Sequence, residues 1–165
     1  MAVVVSNTTP IHYLILVGQI EILEKLYANI IIPPAVFAEL RHPSAPAPVS
    51  NWASRPPAWL TVLPPASTLG VRSGIGLGER EAILLAGEIR ADWVLLDDKA
   101  ARRVAAKQSL KVKGTMGVVA DAARAKLLNF VETIEQLQRT SMHLDQVTVD
   151  RIVREYEQLQ GGRVN

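Results

Sequence analysis

The chain contains no cysteine, which excludes disulfides, thiolate metal centres and a thiol nucleophile and is compatible with a reducing compartment. Aromatic residues make up only 5% of it, so Ala, Val, Ile and Leu must build the core, as in parallel sheets covered by helices. No apolar run approaches the roughly 20 residues that span a bilayer. No basic segment precedes the apolar residues at the start, so a signal peptide is not expected. The expected setting is cytoplasmic, with no membrane partner.

What is present fits one domain over residues 1–165, 48% hydrophobic and long enough to bury a good core. The formal net charge is +2, but it is unevenly spread. Between Lys99 and Lys126 eight basic residues face one acid, Asp121, so that segment carries +7 and the remainder −5. Such asymmetry suits a side that meets a polyanion; a solvated basic helix face is the plainer reading.

Apolar periodicity predicts strands over 3–5, 29–32, 59–63, 93–96 and 110–113. A helix is expected over 10–17, with Thr8 or Thr9 as N-cap and Pro10 at the first helical position. Gly18 breaks it, and a second helix reaches about residue 27. Others are expected over 35–41, 79–90, 99–108, 116–126 and 131–139, with an amphipathic tail over 147–159. Seven of the ten prolines lie between His42 and Ser67, together with Trp52 and Trp59. That stretch, 42–68, reads as a long ordered excursion or a mobile flap; its tryptophans either pack it down or stack on bases. Alternating strands and helices define an α/β fold with a parallel sheet of about four or five strands.

In such sheets ligands bind beyond the carboxyl ends of the strands. Two strands end in polar knots, VVVSN and WVLLDD, bringing Asn7, Asp97 and Asp98 to one rim if the strands are neighbours. Glu39 sits beside Val36 and Leu40 on one helix, and Glu79 and Glu81 open another. Each acid has an ordinary explanation. Glu79 and Glu81 suit the positive end of a helix, Asp98 suits an N-cap, and Glu39 suits a solvated helix face. Gathered together they need a cation to compensate them, and oxygen donors without cysteine favour Mg²⁺ or Mn²⁺.

The order of these segments (SNTTP after an apolar strand, NIIIPPAVFAEL, GLGEREAILLA, WVLLDDKAARRVA and VKGTMG) resembles the PIN domain from Val3 to about Lys126. It is most similar to the small prokaryotic branch related to VapC-type toxins. The resemblance implies a three-layer α/β/α PIN-like fold and a Mg²⁺- or Mn²⁺-dependent endoribonuclease, the toxin of a toxin–antitoxin pair. It places the family's first acid at Asn7, the second at Glu39, the third at Glu81 and the fourth at Asp97 or Asp98, with Glu79 able to assist. Thr8 and Thr9 would hold a phosphate or a water on the ion. Lys99, Arg102 and Arg103 would contact the RNA backbone, and Thr115 would be polar at the rim. RNA and an antitoxin protein are the implied partners.

Asn7 departs from that pattern. Its amide oxygen can ligate a hard cation but brings no charge and cannot serve as a base, so the site is weakened, retuned or silenced. A silent PIN-fold module that binds nucleic acid or protein is the alternative function. The glycines at 74, 76 and 78 lack the spacing of a dinucleotide fingerprint and read as an entry to a helix. His12, His42 and His143 show no ligand spacing, and Ser6, Thr8 and Thr9 have no histidine partner for nucleophilic catalysis. No D-x-D follows the first strand, which disfavours a phosphatase. Val147, Ile152, Val153 and Tyr156 suggest one apolar face on the tail, suited to a homodimer or to the core.

Overall fold

Val4 and Val5 are both buried, although neighbouring residues of a strand face opposite sides of its sheet. Apolar cover is therefore required on both sides. The computed structural model describes residues 2–67 and 74–161. Thr68, the expected end of the proline-rich excursion, lies outside them, as do Met1 and residues 162–165.

Strands β1 (Val4–Ser6), β2 (Ile30–Ile32), β3 (Leu60–Val62), β4 (Trp93–Leu95) and β5 (Val112–Lys113) form a wholly parallel five-stranded sheet in the order β3-β2-β1-β4-β5. The helices are α1 (Thr8–Leu16), α2 (Ile22–Tyr27), α3 (Pro34–Leu40), α4 (Ala47–Ser54), α5 (Leu77–Glu88), α6 (Lys99–Lys107), α7 (Thr115–Arg124), α8 (Phe130–Gln138) and α9 (Gln146–Gly161). The period of two along the strands divides the core. Val4, Ile30, Ile32 and Leu95 pack in one cluster with residues of α1, α2, α3, α4, α7 and α8. Val5, Val94 and Leu96 pack in another with residues of α5 and α6. The result is the expected three-layer α/β/α PIN-like arrangement.

The proline-rich excursion is ordered and contains a helix that periodicity does not predict. In α4 Pro48 falls in the first turn, where no intrahelical N–H is needed, and Val49 and Ala53, four apart, are buried. Trp52 and Trp59 pack against each other with ring centroids 5.8 Å apart, and both lie against the larger core. Their use is packing. No helix among the described residues is long and apolar enough to cross a membrane.

The sheet order fixes where chemistry can sit. From β1 the chain proceeds through β2 to β3 on one side, and β4 then pairs with the other edge of β1 and leads outward to β5. The helices after β1 and β4 therefore leave in opposite directions and open a crevice above the strand ends.

Candidate active site

The crevice begins with the register of β1 and β4. Ser6 pairs with Leu95, and the Asn7 N–H donates to the Leu95 carbonyl at 3.0 Å. One step further, the Leu96 N–H donates to the Lys113 carbonyl at 3.0 Å. Asn7 and the Asp97–Asp98 pair thus leave adjacent strands at the same end. The N-cap of α1 is Asn7, not Thr8 or Thr9, because extended backbone persists to Asn7 (φ −79°, ψ 175°). Its side chain makes no capping bond. Asn7 is 2% exposed, and its Oδ1 is buried without a hydrogen-bond partner among the described residues. An unmatched acceptor of this kind costs about 1–3 kcal/mol.

Glu39 is an exposed residue of α3 and accepts a hydrogen bond from the Thr8 hydroxyl, which ties it to the residue after Asn7. Behind it stands α5. A Cβ on Gly78 would lie 2.6 Å and 2.9 Å from the Glu39 carboxylate oxygens, so glycine is what lets α5 approach this closely. Glu79, on the first turn of α5, is partly buried. Burial chiefly, then the charges of Asp98 and Glu39, push its carboxyl above the ordinary glutamate value, against an opposing hydrogen bond from the Gly76 N–H. Glu79 thus feels the charges of Glu39 and Asp98, which come from two other helix ends.

The other expected acids also hold hydrogen bonds. Glu81 accepts from the Ala35 N–H at 2.9 Å, satisfying a free donor at the start of α3. Asp97 accepts the Thr115 N–H at 2.9 Å and the Thr115 hydroxyl at 2.5 Å. Burial raises the Asp97 pKa, and the two Thr115 bonds and the Arg102 guanidinium offset only part of that. Thr115, which the resemblance implies is a polar residue at the rim, is fully buried with its hydroxyl on Asp97 and holds the strand end. Asp98 is the N-cap of α6, with Oδ1 accepting from the Ala101 N–H at 2.8 Å.

Among the described residues no group of three or more His, Cys, Asp or Glu forms a ready metal cage. Asn7, an amide, brings no carboxylate to that rim. The donors that remain fit a hard divalent cation all the same. They comprise the unmatched amide oxygen of Asn7 and carboxylate oxygens of Glu39, Glu79 and Asp98.

A groove of about 980 Å³ extends from Glu79, Asp97 and Asp98 along α6 to α9. Thr9, Lys99 and Arg102 line it, whereas Arg103 is exposed outside its lining. His12 is half-buried edge-on to Tyr13, with centroids 4.7 Å apart, and burial lowers its pKa. It does not line the groove. The residues missed by sequence reading are on α9. The expected single apolar face is divided, with Ile152 and Tyr156 lining this groove and Val153 a smaller pocket beside α8, while Val147 is exposed. The helical spacing of Thr148, Arg151, Glu155 and Leu159 around Ile152 and Tyr156 was the available signal.

The family model described as DUF3368, a PIN domain, matches residues 3–158. No curated protein and no solved structure matches the chain.

Proposed function

The chain belongs to the PIN-domain family, a nuclease-type fold, and from that premise we propose that it is a metal-dependent endoribonuclease using Mg²⁺ or Mn²⁺. The observation that carries the reading is the buried, unmatched Asn7 oxygen at the end of β1, beside the β4 end that leads to Asp98 and next to Thr8, which holds Glu39. A cation there would supply Lewis-acid polarisation of a phosphodiester and a water of lowered pKa. Asn7, Glu39, Glu79 and Asp98 would hold it. Glu81 acts through α3, whose first turn it caps and which carries Glu39. Asp97 acts through Thr115, fixing the ends of β4 and β5. Thr8 orients the Glu39 carboxylate, and Lys99 and Arg102 draw the polyanion toward the rim.

On this reading the protein is a cytoplasmic toxin related to the VapC type, with an antitoxin as its protein partner. The exposed Val131 and Val147, 43% and 78% accessible, offer apolar surface for a second copy. One observation favours a second reading, a silent module that binds RNA without cutting it: the first corner of the rim is a neutral amide. Cleavage of labelled single-stranded RNA separates the two. The nuclease reading expects cutting in Mn²⁺, none in chelator, and loss in Glu39→Gln and Asp98→Asn. Cutting that persists in chelator or in both variants would overturn it.

A further inference from the structure

Helix α9 gives the core only one buried residue, Val149, yet it spans four turns against the body of the protein. Thr148, Arg151, Ile152, Glu155, Tyr156 and Leu159 all line the large groove. Their spacing, i, i+3, i+4, i+7, i+8 and i+11, is one complete helix face. That face borders open volume while Ile152 and Tyr156 also rest against the core, and the volume is continuous with Glu79, Asp97 and Asp98.

Charge and chemistry vary along the groove. Lys113 and Arg124 both bind the single carboxylate of Asp121, which offsets one of their two charges. Lys99 and Arg151 take part in no ion pair among the described residues, leaving a free cation on either wall. Between them the surface turns apolar at Met116, Met142, Ile152 and Tyr156. The Tyr156 ring is held by stacking on Phe130, with centroids 4.2 Å apart and planes 21° from parallel. An apolar surface between two cations suits a strand whose bases are unpaired, since a duplex hides its base faces and offers mainly phosphate and sugar.

We propose that the inner face of α9 is the base-contacting wall for a single-stranded RNA segment next to the cleaved phosphate. Arg151 takes a phosphate, and Tyr156 with the neighbouring methionines takes an unpaired base. The inference rests on the nuclease reading and deepens it, by naming the strand state that the site accepts and the helix that selects it. The acids and the basic helix α6 set the chemistry and the attraction; α9 sets which nucleic acid fits.

Binding without turnover tests it, by fluorescence anisotropy of a labelled RNA oligonucleotide in chelator, single-stranded and as its own duplex. The single strand should bind more tightly. Arg151→Glu and Tyr156→Leu should each weaken it at least about fivefold, the scale of one lost phosphate contact or base stack, while Tyr156→Phe keeps native affinity. Arg154→Glu makes the same charge change on the other face of α9, beside the smaller pocket, and should bind like the native protein. Equal losses in Arg151→Glu and Arg154→Glu would reduce the effect to bulk charge and overturn the assignment. Native affinity in both Arg151→Glu and Tyr156→Leu, or a duplex bound as tightly as the single strand, would overturn it too and leave the groove to another occupant such as a peptide. Cleavage by the native protein in Mn²⁺, run in parallel, distinguishes the failures. A protein that cuts RNA while ignoring Arg151→Glu loses only the α9 wall, whereas one that neither binds nor cuts loses the nuclease reading as well.

Discussion

Glu79 is the residue at which folding and site chemistry pull in opposite directions. Burial and the charges of Asp98 and Glu39 raise its pKa above the ordinary 4.5. Between the ordinary and the raised value the folded chain therefore holds more protons than the unfolded one. Stability is greatest below that window, falls as pH rises through it, and levels off above. Asp97 contributes in the same sense. Denaturation midpoints measured across a pH series should show this fall, and Glu79→Gln should flatten it; an equal slope in the variant would mean that Glu79 is solvated. Thr115 plays the opposite part, because its buried hydroxyl donates to Asp97 at 2.5 Å. Thr115→Val keeps the shape and deletes the bond, so urea unfolding should report a loss of about 1.5–3 kcal/mol, the range for a hydrogen bond to a charged group. An unchanged midpoint would show that Asp97 finds solvent instead.

Elements turn these residues into a site by close approach. Helices α3 and α5 meet where Gly78 leaves room for the Glu39 carboxylate, 2.6 Å from where a Cβ would stand. Gly78→Ala improves helix propensity by about 1 kcal/mol, and the atoms it strikes are the movable end of a side chain. The variant should therefore fold with an equal or higher melting temperature while its Mn²⁺ affinity, by calorimetry, falls by about tenfold, as when the support of a ligand is disturbed. Unchanged affinity would place Glu39 outside the ion's reach. The strands were readable from sequence because their apolar runs end abruptly in polar residues, as at SNTT and DDK. Helix α4 was not, because prolines crowd its first turn and only Val49 and Ala53 mark its buried face. The α1 cap was misplaced by one or two residues because Asn, Thr and Thr are all competent N-caps, and only the backbone angles at Asn7 distinguish them.

At the scale of the whole molecule, the strand order creates the site. Placing β4 on the far side of β1 from β2 brings Asn7 and Asp97–Asp98 to one crevice, and the polar ends of the two strands foretold that meeting. Which partners the acids would find was not legible. Glu81 and Asp97 are spent on the Ala35 N–H and on Thr115, contacts between elements far apart in sequence that no spacing encodes. The groove-lining face of α9 was hidden for a related reason: its apolar residues read as one face for a homodimer or the core, and the polar Thr148, Arg151 and Glu155 beside Ile152 and Tyr156 gain meaning only once the groove opposite is seen.

Asn7 joins all three scales, as an unmatched oxygen, the first residue outside β1 and the corner of the crevice. The most direct test compares RNA cleavage in Mn²⁺ by the native protein and by Asn7→Asp under identical conditions. The native protein should cut, with Asn7 serving as a neutral ligand, and Asn7→Asp should cut faster through a more tightly held ion. Cleavage by neither would contradict the assignment of the rim as a metal-dependent nuclease site.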